Sequence, residues 1–188
     1  MSRAAQSARW VAAGGIGLAL AVLLPVVFHQ IGLGPVFLPM HIPILITGAL
    51  GGARAGFAAG ALAPALSHLL TGLPPIVPPV APLMTVELAC YGLVAGVARD
   101  ALRKHAGPRR GAVAREYLWV IAALLAGRLA LGVAAFLLGP MLNLKIGPAV
   151  YVRGAILAGL PGLIVQLVLI PPLVAWLGGL MIQQRARA

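Results

Sequence analysis

Acidic side chains are the scarcest chemistry in this sequence: Glu87, Asp100 and Glu116 are the only three among 188 residues. So few carboxylates, so widely spaced, cannot build the acidic metal cluster that lipid phosphotransfer needs. Cysteine is limited to Cys90, which removes a disulfide framework and a thiolate metal site and leaves a small packing residue. Charged residues make up 9% of the chain, against roughly 25% in soluble domains, and this excludes a water-soluble globule. A Gly-Lys-Ser/Thr phosphate loop, a His-Glu-x-x-His helix and a Gly-x-Ser-x-Gly elbow are all absent. No cofactor or metal is expected, and any ATP-driven work falls to another subunit.

What remains is apolar sequence. Hydrophobic residues make up 61% of the chain and mean hydropathy is +1.02, enough for about six membrane spans of roughly 20 residues. We read a single all-α integral membrane domain over residues 1–188, a six-helix bundle with spans at about 10–28, 36–50, 57–70, 83–98, 117–138 and 151–177. Trp10 opens the first span at the interface. Ala19-Leu20-Ala21 resembles a signal-peptide cleavage site, but the apolar run continues to Phe28 and reads as a helix. The second span contains Pro39 and Pro43 and is expected to be irregular in its first turns. Between spans three and four, Thr71 to Pro82 holds five prolines and no charge, a rigid non-helical connection. Arg99 to Glu116 reads as the only hydrophilic loop of any length.

The net charge of +11 would suit nucleic acid, but its distribution follows membrane topology. With both termini cytoplasmic, the inner set is Arg3, Arg9, Arg54, Arg99, Arg103, Lys104, Arg109, Arg110, Arg115, Arg185 and Arg187, while only Lys145 and Arg153 lie outside. That bias is the positive-inside pattern. No nucleic-acid partner is needed, and anionic lipid head groups are the remaining attraction.

Ionisable groups inside a membrane are costly and point to function. Glu87 falls about one turn below the outer boundary. Arg128 falls about eleven residues from the inner end of span five, roughly 16 Å deep at 1.5 Å per residue, and a long side chain can reach upward to pair with Glu87. The pair could simply tie two helices together, or line an outward-facing polar cavity. His29, His41 and His68 sit near outer ends, where hydrogen bonding at a Pro-bent helix explains them better than a metal site. Asn143, Tyr91, Tyr151 and Gln166 are further polar candidates, each by itself compatible with a structural role. Arg128, Lys145 and Arg153 together would suit a carboxylate or phosphate on a ligand. Small residues Ala13, Gly17 and Ala21, spaced by four on the first span, allow close helix contact, as do Gly15 and Ala19 beside them and Gly56, Gly60 and Pro64 on the third span.

FLPMHIPILITGALGG, a third span ending SHLLTGLPP, and PLMTVELACYGLVAG resemble the substrate-specific S components of energy-coupling factor (ECF) vitamin transporters. LLAGRLALG and AGLPGLIVQLVLIPPLV are similar to the later helices of that family, so the resemblance covers nearly the whole chain. It implies a six-helix fold in the bacterial cytoplasmic membrane with an outward pocket. It also implies a complex with a transmembrane coupling protein (T component) and two ATP-binding-cassette ATPases. The implied activity is not enzymatic: a water-soluble vitamin or precursor, of the pantothenate, folate or cobalamin-precursor type, is captured outside and released inside by toppling of the whole subunit. On this resemblance Glu87, Arg128, His41, Asn143, Tyr91 and Gln166 are the substrate-binding candidates, and Ala13, Gly17 and Ala21 the contact to the coupling protein. The alternatives are a small structural or assembly membrane protein without a ligand, and an unrecognised membrane enzyme.

Overall fold

A computed structural model describes residues 3–30, 32–104, 112–142 and 144–187. The described residues form helices and connecting turns without a strand: α1 (Arg3–Gln30), α2 (Gly34–Phe37), α3 (His41–Gly51), α4 (Ala53–Thr71), α5 (Val80–Lys104), α6 (Ala112–Leu138), α7 (Pro148–Ala158) and α8 (Leu160–Arg187). Glycines mark several of the breaks. Gly52 has φ 95° and Gly72 has φ 77°, left-handed conformations that a side chain resists, and the Gly72 N–H caps α4 on the His68 carbonyl.

Two expected spans are divided. The second becomes the short α2 and the 11-residue α3, and the sixth breaks at Gly159 between α7 and α8. At 1.5 Å per residue, 11 residues cover only about 16 Å, well short of a bilayer core. Among the described residues, four stretches are long and apolar enough to cross a membrane: Trp10–Gln30, Val80–Lys104, Val113–Leu138 and Leu160–Met181. The supposed hydrophilic loop is also shorter than expected, because α5 continues to Lys104 and α6 begins at Ala112.

Helix α5 is the centre of the bundle, packed between α4 and α6 and against α3. Its closeness to α4 comes from glycine. A Cβ on Gly56 would strike the Gly92 carbonyl, one on Gly92 would strike the Gly56 backbone, and one on Gly60 would strike the Leu88 carbonyl. The spacing by four along both helices therefore sets backbone against backbone, the arrangement that drives helix association where water supplies no hydrophobic force. Around this seam lie Ile44, Leu45, Leu88, Tyr91, Trp119, Val120, Ile170 and Val174, all fully buried. Large apolar side chains on α1, α6 and α8, among them Ile16, Leu125, Phe136, Val168 and Trp176, are exposed. A body dressed in apolar side chains fits hydrocarbon rather than water.

The first-helix stripe points the other way from expectation. Ala21 is fully buried, a Cβ on Gly17 would collide with the Thr47 side chain, and Ala13 is the group a Cβ on Gly51 would meet. Gly17 and Ala21 are thus buried within the protein and Ala13 is half-buried against Gly51, an arrangement that lets α1 lie close on α3. The face of α1 that stays open carries Gly15 and Ala19.

Candidate functional site

At the end of the bundle where α1 and α4 finish and α5 begins, the helices part around a cavity of about 680 Å³, within the usual range for small-molecule sites. Most of its wall is apolar: Leu38, Met40, Leu73, Met84, Leu131 and Val150 are representative. The Pro-rich connection contributes Pro74 and Pro75, so the helix breakers serve as wall. Leu38 reaches the cavity from a left-handed backbone (φ 50°) and rests against Gly159, where no side chain interferes. Such a conformation costs a non-glycine residue about 1–2 kcal/mol and persists because the surrounding packing holds it.

The ionisable groups lie where α3, α5 and α6 meet. Arg128 Nη1 is 2.8 Å from Glu87 Oε1, with both side chains close to fully buried. The expected pair is therefore formed, and both members line the cavity. His41, at the start of α3, brings Nε2 to 3.8 Å from the same Glu87 oxygen. Tyr91 stands one turn beyond Glu87 on α5 and meets the His41 ring edge to face, centroids 5.3 Å apart.

These contacts leave much unsatisfied. Among the described residues, eight fully buried side-chain polar atoms have no hydrogen-bond partner, and they belong to five residues: His41, Glu87, Tyr91, Arg128 and Gln166. The short Glu87–Arg128 approach is an ion pair without good hydrogen-bond direction. An unmet buried polar group costs about 1–3 kcal/mol, and native proteins keep few of them. His41, Glu87 and Arg128 line one cavity, with Tyr91 packed on His41, and this makes that cavity fit for a polar ligand.

Of the residues weighed in the sequence, Glu87, Arg128, His41, His29 and Tyr151 line the cavity. Tyr91 and Gln166 do not: both are fully enclosed by the bundle, Tyr91 because its ring fills the space over Gly127. Tyr91 sits behind the wall, against the His41 ring. Asn143 lies outside the described residues. Lys145 and Arg153 are exposed and off the cavity, so the positive group expected around a ligand shrinks to Arg128. His29 and His68 hold backbone carbonyls, those of Pro25 at 2.7 Å and Pro74 at 2.9 Å, in keeping with histidines at Pro-bent helices.

A second buried polar cluster lies at the opposite end and was missed in the sequence. Arg99 donates from Nε to Glu116 Oε2 at 3.0 Å and from Nη2 to Glu116 Oε1 at 3.2 Å. Its Nη1 donates to the Ala49 carbonyl at 2.8 Å, and Trp119 Nε1 donates to Glu116. Both residues had been assigned to a solvated loop, yet Arg99 is 3% exposed and Glu116 8%. Hydropathy breaks could not reveal this, because a long helix carries its charges inward past the apolar run. Among the described residues, no buried polar atom of Arg99, Glu116 or Trp119 lacks a partner, which makes this cluster a structural tie rather than a site.

An all-helical, lipid-compatible body with a small-molecule cavity at one end and buried unpaired polar groups on its floor defines a membrane substrate-binding subunit. The chain matches the family described as ECF transporter, substrate-specific component, over residues 11–174. It belongs to that family. Searches against curated proteins and against solved structures gave no match. Members of the family are membrane-embedded binding subunits of transporters, not enzymes in themselves.

Proposed function

We propose that this chain is the S component of a bacterial ECF importer and captures a small water-soluble vitamin or vitamin precursor at the outer face of the cytoplasmic membrane. The supporting observation is the set of unpartnered buried polar atoms on Glu87, Arg128 and His41, which line one cavity, and on Tyr91 behind His41. Glu87 and Arg128 orient the ligand, His41 adds a hydrogen bond, and Tyr91 holds the His41 ring. Asn143 remains a candidate contact from the sequence.

The cavity end is then the outer end, and the end bearing Arg99, Arg103 and Lys104 is cytoplasmic, as the positive-inside rule favours. In this reading α2 with α3, α4 and α7 with α8 complete six crossings, and both termini are cytoplasmic. The T component docks on the open Gly15 and Ala19 face of α1, and two ATPases beneath it drive toppling and release. Pantothenate, folate and cobalamin precursors are the substrate types in view.

Native mass spectrometry of the purified protein, offered a panel of water-soluble vitamins, tests the reading. A stoichiometric bound vitamin supports it. A chain that stays empty across the panel is better described as a scaffold of the membrane.

A further inference from the structure

The floor of the cavity carries more information than the presence of charge. Arg128 has one terminal nitrogen, Nη1, against Glu87, while Nε and Nη2 are buried and unpartnered. These two nitrogens form one edge of the planar guanidinium, with parallel N–H groups spaced to meet two oxygens at once. The same chain shows what that edge does when filled. Arg99 uses Nε and Nη2 to grip both oxygens of the Glu116 carboxylate, at 3.0 and 3.2 Å. At Arg128 no described residue supplies the corresponding acceptor.

Charge limits what that acceptor is. Glu87 already offsets Arg128, and neither Lys145 nor Arg153 lines the cavity. A monoanion adds one net negative charge to a low-dielectric site, where each uncompensated charge is expensive. A phosphate dianion would add two, with no second Arg or Lys among the described residues that line the cavity. Glu87 Oε1 has unused acceptor capacity close to Arg128, so a donor near the anionic group is held in the same stroke. The walls above are mostly apolar, typified by Met40, Met84 and Leu131, with the rings of Tyr151, His29 and His41 also in the lining. Recognition therefore concentrates on the polar end of the ligand.

From the open edge of Arg128 beside a neutralising Glu87, we infer that the substrate is an unphosphorylated monocarboxylate bearing an N–H or O–H donor near its carboxylate. The carboxylate lies side-on against Nε and Nη2 of Arg128 and the donor faces Glu87. This rests on the reading of the cavity as the substrate site and names the chemical class that the site selects.

The test is a thermal-shift and calorimetric series on the full-length purified protein. The probes are pantothenate (a monocarboxylate with an amide N–H near it), biotin and nicotinate (monocarboxylates without a nearby donor), the neutral counterparts of all three with alcohol, amide or ester in place of the carboxylate, and folate (a dicarboxylate), thiamine, riboflavin and pyridoxal phosphate. The expected result is stabilisation by the donor-bearing monocarboxylate, with its neutral counterpart binding at least tenfold more weakly. Arg128→Lys, which keeps the charge but removes the fork, should lose at least tenfold for that carboxylate. If the variant does not fold, the carboxylate and neutral comparison on the unaltered protein still decides. Tight binding of a neutral, cationic, dicarboxylate, phosphorylated or donor-free probe overturns the inference and leaves the S-component reading standing. A silent panel counts against both.

Discussion

Glu87 and Arg128 meet as an ion pair 2.8 Å apart, from two different helices, with 3% and 11% of their side chains exposed. They are the centre of the functional account, because a pair buried this deeply is costly unless each member also serves another partner.

Breaking the pair should be worse than removing it. Arg128→Ala leaves Glu87 buried without its counter-charge, a change worth about 3–5 kcal/mol in comparable sites. The double variant Glu87→Gln with Arg128→Ala should recover part of that loss. Thermal unfolding in a fixed detergent measures both, and equal stability of the single and double variants would show that the two residues act independently.

The clamp at the opposite end should separate stability from binding. Glu116→Ala strands the Arg99 guanidinium and the Trp119 N–H, and is expected to lower stability by about 3–5 kcal/mol. Ligand affinity of the surviving folded protein should change by less than about threefold, a shift of under about 0.7 kcal/mol. Calorimetry of the variant near the lower end of its stable temperature range reads both, and a large affinity loss would tie the clamp to the cavity.

The glycine seam predicts strict positional tolerance. Gly92→Val drives a side chain into the Gly56 backbone, and overpacking of that sort costs at least about 1–3 kcal/mol. Gly15→Ala meets nothing within 4 Å and should be silent. Yield of monodisperse protein from matched expression cultures distinguishes them.

The two stripes on α1 make opposite predictions. Gly15→Leu should leave ligand binding intact and reduce co-purification of the coupling protein several-fold, about 1 kcal/mol or more of lost contact. Gly17→Leu should destabilise the chain itself, since Thr47 occupies that space. Pull-down of co-expressed subunits, alongside thermal unfolding, resolves the two effects.

Much of this was legible in the sequence for identifiable reasons. Glu87 and Arg128 stood out because each is a lone charge within an apolar run, and a membrane leaves such groups few partners. The Gly56 and Gly60 spacing announced a close contact, though not that α5 would be the other side. Other features depend on tertiary placement. Nothing local distinguishes the Ala13–Gly17–Ala21 stripe, which faces α3, from the neighbouring Gly15 and Ala19 stripe, which faces outward. Arg99 and Glu116 looked solvated because charge density marks a loop on average, while their burial depends on helices α3, α5, α6 and α8 converging. Tyr91 and Gln166 were recognisable as polar groups in apolar surroundings, but which side of the cavity wall they occupy is a matter of helix rotation.

The most direct test of the central claim is the affinity of the bound vitamin, measured by isothermal titration for the unaltered protein, Arg128→Ala and Arg153→Ala. Arg128 lines the cavity, and Arg153 is exposed outside it. The account predicts at least a tenfold loss for Arg128→Ala, about 1.4 kcal/mol, and unchanged affinity for Arg153→Ala. Equal affinities in all three proteins, or a loss confined to Arg153→Ala, would contradict it.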